Sequence, residues 1–168
     1  MKPLWVLLAT AVAVALQTTL DRWVAVGAVD LVLIVVVYFA LTSGRVTGLL
    51  TGSFAGLVQD ALSGAVIGMA GLSKTVVGFV TGIIGTQFIV THSASRFVVF
   101  FVATVVNQAV FRGFYEMLGL RHFGSPYAAV SAQAFGNAVV GVLVFKVIEV
   151  LPGAVERRRH ARAGGIRR

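Results

Sequence analysis

Asp60, Lys74, Arg112 and Glu116 are ionisable residues set inside long apolar runs. At the centre of a bilayer such a group costs about 2.5–3.5 kcal/mol on insertion scales, so it is usually paired or functional. Asp60 and Lys74 flank a stretch from Gly64 to Gly68 that reads as a hairpin. Helical side chains lean toward their own N-terminus, which brings an acid on one leg and a base on the other toward a common depth. The expectation is an intramembrane Asp60–Lys74 ion pair, acting either as a register lock or as a functional site. Arg112 and Glu116 are one helical turn apart, with Gln108 a turn earlier, and Gln133 and Asn137 repeat the spacing further along. Gln108, Arg112, Glu116, Gln133 and Asn137 either line a polar cavity or divide into two groups. In the second case the charges snorkel to water near the membrane surface and the amides hydrogen-bond between helices.

The elements that must hold these groups follow from composition. The chain has 168 residues, 58% hydrophobic and 12% charged, with mean hydropathy +0.93. That is too apolar for a soluble domain and belongs in a membrane. At about 20 apolar residues per spanning helix, the chain divides into spans near 4–20, 24–42, 46–62, 65–86, 97–120 and 127–151. These form a membrane domain over 1–151, followed by a basic tail over 152–168. Pro3, Pro126 and Pro152 fall at span ends, where a missing N–H costs little. Runs such as 31–40 and 97–106 are apolar on every side, unlike the alternating strands of a barrel, so the fold class is an all-α polytopic bundle. If Asp30 marks the boundary of the second span, that helix is short and Trp23 begins an interfacial segment. The first span could also be read as a cleavable leader. Its apolar run continues to Leu16 without a polar region, which favours a retained helix.

Glycine is spaced for helix packing. Gly44, Gly48, Gly52 and Gly56 recur every four residues, Asp60 takes the next slot, and Lys74, Gly78 and Gly82 repeat the interval on the following span. In lipid, helices associate by close backbone approach at small-xxx-small rows. These rows therefore serve either internal packing or a partner helix.

Lys and Arg in short loops set orientation. With both termini cytoplasmic, the inside holds Lys2, Arg45, Arg96, Lys146 and the tail arginines, against Arg22 and Arg121 outside. The net charge of +8 is largely a property of the tail, from Arg157 to Arg168. It suits anionic lipid and gives no reason to expect nucleic acid. The chain has no cysteine, which excludes disulfides and thiolate sites. His92, His122 and His160 all lie in loops or the tail. There is no HExxH motif, no carboxylate cluster for a divalent cation and no phosphate loop, since the segment from Gly71 to Lys74 lacks the first half of one. No metal, cofactor or enzymatic activity is expected.

From Asp30 to Gly82 the sequence resembles the MreD family, six-span rod-shape-determining proteins of bacterial inner membranes. The resemblance rests on Asp30-Leu31 opening an apolar run to Val37-Tyr38-Phe39-Ala40-Leu41. It continues in Gly52-Ser-Phe-Ala-Gly56-Leu57-Val-Gln-Asp60-Ala61-Leu62-Ser63-Gly64, then Gly68 and Leu72-Ser73-Lys74-Thr75 before Gly78. It implies a non-enzymatic scaffold of the elongasome, the assembly that directs lateral peptidoglycan synthesis. Direct binding to MreC is implied, with MreB, RodA and a class B penicillin-binding protein in the same assembly. Asp60 and Lys74 lie within the shared motif; Arg112, Glu116, Gln133 and Asn137 do not. The family is also similar to the six-span S components of energy-coupling-factor vitamin transporters, which leaves solute binding as the alternative function. Ala9-xxx-Ala13 and Ala11-xxx-Ala15 resemble the row by which those subunits dock their transport partner.

Overall fold

The computed structural model describes residues 3–23, 29–88, 90, 92–120 and 127–164, with side chains at 4–20, 29–88, 90, 92–120 and 127–150. The side chains of Arg22, Trp23 and the basic tail, together with Arg121, His122 and Pro126, lie outside this set. The described residues form helices and no strand: α1 (Pro3–Trp23), α2 (Leu31–Ser43), α3 (Arg45–Ser63), α4 (Met69–Gln87), α5 (Ser93–Met117) and α6 (Tyr127–Gly164). The all-α membrane fold expected from composition is therefore present. α4, α5 and the Tyr127–Val150 stretch of α6 are long and apolar enough to cross a membrane, while Leu4–Leu20 and α2 are shorter apolar helices.

Within the span expected over 24–42, of which positions 24–28 lie outside the described residues, α2 opens at Leu31, where Asp30 accepts the Leu33 N–H and caps it. α2 has 13 residues and α3 has 19, so α2 is shorter by about 9 Å at 1.5 Å per residue. The two meet at Gly44, whose φ of 87° makes the corner left-handed, where a Cβ is strained. Their common end is therefore fixed, and the shortfall appears entirely at the start of α2, which stops partway through the bundle.

α2 is the central helix and touches all five others. Its Val32, Leu33, Ile34, Val36, Val37, Phe39 and Ala40 are buried, which explains why its sequence shows no polar face. Phe100 of α5 lies against Gly141 of α6, where a Cβ would come within 2.6 Å of the ring. Ser and Thr inside the bundle return their hydroxyl protons to carbonyls one turn back, as Thr75 does to Gly71 and Thr104 to Phe100. That satisfies their hydroxyl donors within the same helix.

α3 and α4 run antiparallel with their glycines in register. A Cβ on Gly48 would strike the Gly78 carbonyl, one on Gly52 the Lys74 carbonyl, and one on Gly56 the Ala70 carbonyl. Gly82 faces the backbone of Arg45, and a Cβ on Gly85 would lie 2.7 Å from the Leu41 oxygen. Of the glycines singled out from sequence, Gly48, Gly52, Gly56, Gly78 and Gly82 are used in this internal seam. Gly44 forms the corner beside it.

Candidate functional site

The recess above the start of α2 collects the polar groups. A helix beginning inside a bundle must satisfy its first backbone N–H groups there, and three side chains do so. Asp30 Oδ1 accepts the Leu33 N–H at 2.8 Å, Gln17 Oε1 accepts the Leu31 N–H at 2.8 Å, and Asn137 Oδ1 accepts the Asp30 N–H at 2.8 Å. Gln17 Nε2 also donates to the Val29 carbonyl at 3.2 Å, and Asn137 Nδ2 donates to Thr104 Oγ1 at 3.1 Å. α1, α2, α5 and α6 are thus tied together at one level.

The second oxygen of Asp30 carries the ion pair. Lys74 Nζ donates to Asp30 Oδ2 at 2.7 Å, with Lys74 only 2% exposed. The expected Asp60–Lys74 pair is not formed. Asp60 instead caps α4 from the preceding helix: its Oδ2 accepts the N–H groups of Gly68 at 2.9 Å, Ala70 at 3.0 Å and Gly71 at 3.3 Å. The seam explains the exchange. Gly56 lies against Ala70 and Gly52 against Lys74, so Asp60 stands level with the first turn of α4 while Lys74 is deeper. At that depth the available carboxylate is the one at the buried start of α2. Each acid is compensated, Asp60 by a helix N-terminus and Asp30 by an ammonium.

Between these groups lies a cavity of about 250 Å³. Asp30 and Lys74 border it, with Asp60, Gln59 and Ser63 from α3 and Asn107, Gln108 and Phe111 from α5. Gln133 of α6 closes another side and accepts a hydrogen bond from Gln108 Nε2. Of the expected cavity residues, Gln108 and Gln133 line it, and Asn137 lies against it through Asp30. Arg112 and Glu116 are not among its lining residues, which corrects their assignment. α5 continues past the recess; Arg112 donates back to Gln108 Oε1 at 3.2 Å, and Glu116 is exposed.

Asp30 as the partner of Lys74, and Gln17, Gln59, Asn107 and Thr104, escaped the sequence reading. Asp30 had a signal, an acid opening an apolar run, but it was legible only as a boundary. At the opposite end, Arg96 is buried beneath α6. It donates from Nη1 to Glu149 Oε2 at 3.0 Å and from Nε to the Val90 carbonyl at 3.2 Å, with its guanidinium 4.4 Å from the Phe145 ring centre. From sequence, Arg96 counted only as a topology charge.

Chemically, the recess orders polar groups through side-chain caps and one ion pair. Ser63 and Ser73 give their protons to the Asp60 and Ala70 carbonyls. Among the described residues no three His, Asp or Glu side chains are grouped to hold a metal. The family model for the rod shape-determining protein MreD matches residues 1–152. Comparison with curated proteins and with solved structures gave no match.

Proposed function

The chain belongs to the MreD family of rod shape-determining membrane proteins, and from that membership we infer that it is a non-enzymatic scaffold in the bacterial inner membrane. It binds MreC directly and works in one assembly with MreB, RodA and a class B penicillin-binding protein to govern lateral peptidoglycan synthesis. Arg45 and Arg96 lie at the Gly44 end of the bundle, and positive loops stay inside. This supports cytoplasmic termini and a polar recess that faces outward.

One observation carries the docking model. The glycine rows are filled by α3 and α4 themselves, so they offer no face to a partner. A groove remains between α1 and α6, floored by α2 and about 310 Å³ in volume, with Ala9 and Ala13 one turn apart on one wall, Val35 in the floor and Val144 and Ile148 opposite. A single partner helix gains little from burying apolar side chains in lipid and needs close backbone approach. The alanines of α1 permit that approach, and on this reading the MreC membrane helix lies there.

The test is extraction of the tagged chain from native membranes in mild detergent, with the associated proteins identified. MreC and peptidoglycan synthases are expected with the native chain. Val35→Trp, which fills the groove without touching the recess, should lose MreC while remaining folded. Recovery of a membrane coupling subunit with ATPases instead would make the chain a transporter's solute-binding component.

A further inference from the structure

Three polar groups bordering the recess have bonding capacity that the protein leaves unused. Asn107 is 4% exposed and its Oδ1 has no hydrogen-bond partner; Gln59 Oε1 is likewise buried and unpartnered. Lys74 carries three N–H donors, and its ammonium has a single acceptor, Asp30. A buried acceptor left unmade costs the full desolvation of that group. Two such acceptors and a cation with spare donors around one cavity form a complementary set rather than scattered defects.

We propose that this recess is a binding site for a small polyhydroxyl head, either a free polyol or the glycerol head of a neutral lipid. The chemistry selects a hydroxyl because one hydroxyl both donates and accepts. It donates a hydrogen bond to Asn107 Oδ1 or Gln59 Oε1 and accepts one from Lys74 Nζ. The charges select a neutral group, since Asp30 is already matched by Lys74 and Asp60 by the α4 N-terminus. An added charge would be desolvated with no counter-ion. Size also fits: 250 Å³ corresponds to about eight water volumes at ~30 Å³ each, enough for a head of roughly that many non-hydrogen atoms. Phe111 and Ala65 supply the apolar surface that covers the carbons.

The experiment uses the full chain in phosphatidylcholine nanodiscs, with side-chain NMR signals of Asn107 and Lys74 as readout. Glycerol is the free probe, and monoolein placed in the disc is the lipid-borne form of the same head. Glycerol should shift both signals saturably. Asn107→Leu, read at Lys74, should raise the half-saturating concentration about tenfold, as expected for one lost hydrogen bond. Gln59→Leu should act in the same direction and, being half-buried, guards against a folding failure in the first variant. Monoolein shifting the same signals and weakening the glycerol response identifies a lipid head as the natural form; glycerol alone identifies a free solute. Linear shifts that never saturate, or equal responses in both Leu variants and the native chain, would overturn the proposal and leave the cavity filled by water only.

Discussion

Lys74 meets Asp30 Oδ2 at 2.7 Å inside the bundle, and the value of that contact is mainly the cost of breaking it. Removing one member of a buried pair leaves an uncompensated charge and destabilises by about 3–5 kcal/mol, whereas removing both is far milder. Asp30→Asn still offers an oxygen to cap α2, so it isolates the charge. Asp30→Asn and Lys74→Met should each lower the thermal midpoint of the detergent-solubilised chain, and the double variant should recover much of the loss. Asp60 provides the control. Asp60→Ala strands three N–H groups at the start of α4 and should cost about 2 kcal/mol or more, with Asp60→Asn milder. Combined with Lys74→Met its effect should add, because the two belong to separate contacts. Coupling of Lys74 to Asp60 rather than Asp30 would refute the pairing described here.

At the scale of the helices, the antiparallel α3–α4 seam does what acid–base pairing was expected to do and fixes register by sterics. Gly52→Leu or Gly56→Leu drives a side chain into the carbonyl of Lys74 or Ala70, and separating the helices also breaks the Asp60 cap. Either variant should abolish accumulation of folded protein and rod shape. Gly113→Leu is the internal comparison, since nothing lies within 4 Å of a Cβ there, and it should be tolerated. The four-residue glycine spacing was legible in the sequence because packing at small residues is a local, periodic requirement. The partner of Lys74 was not, because it depends on how far α2 falls short of its neighbours, and that is set by a cap at Asp30 and a corner at Gly44. Arg96 and Glu149 were missed for a related reason: they lie 53 positions apart on helices whose facing sides carry no periodic signal. Substituting Arg96→Met leaves Glu149 at the surface able to find water, so the cost should be modest, within about 1 kcal/mol. Its mark should be faster hydrogen exchange in the first turns of α5.

For the whole molecule, the bundle has two chemically different ends, and their placement across the membrane decides what each can meet. Arg45, Arg96 and Lys146 mark the Gly44 end, while the recess, the α3–α4 turn and the end of α5 mark the other. Cationic loops are retained in the cytoplasm, so the recess should open to the outer side, where a polyol head or the outer leaflet can reach it. Helix number and helical class were legible from hydrophobic length alone; orientation rests on a charge asymmetry that no intramolecular contact reports. It can be read directly, because the chain has no cysteine and any single introduced thiol is unique. Val66→Cys and Leu120→Cys place exposed thiols at the recess end, and Phe88→Cys and Ser95→Cys place them at the Gly44 end. In intact spheroplasts an impermeant thiol reagent should modify the first two, and the second two only after permeabilisation. The reverse pattern would turn the recess toward the cytoplasm and remove the outer leaflet as a source of its ligand, while leaving the helix contacts untouched. Labelling of all four from one side would contradict a membrane-spanning bundle of this topology, since α4 and α5 connect the two ends and each is long and apolar enough to cross.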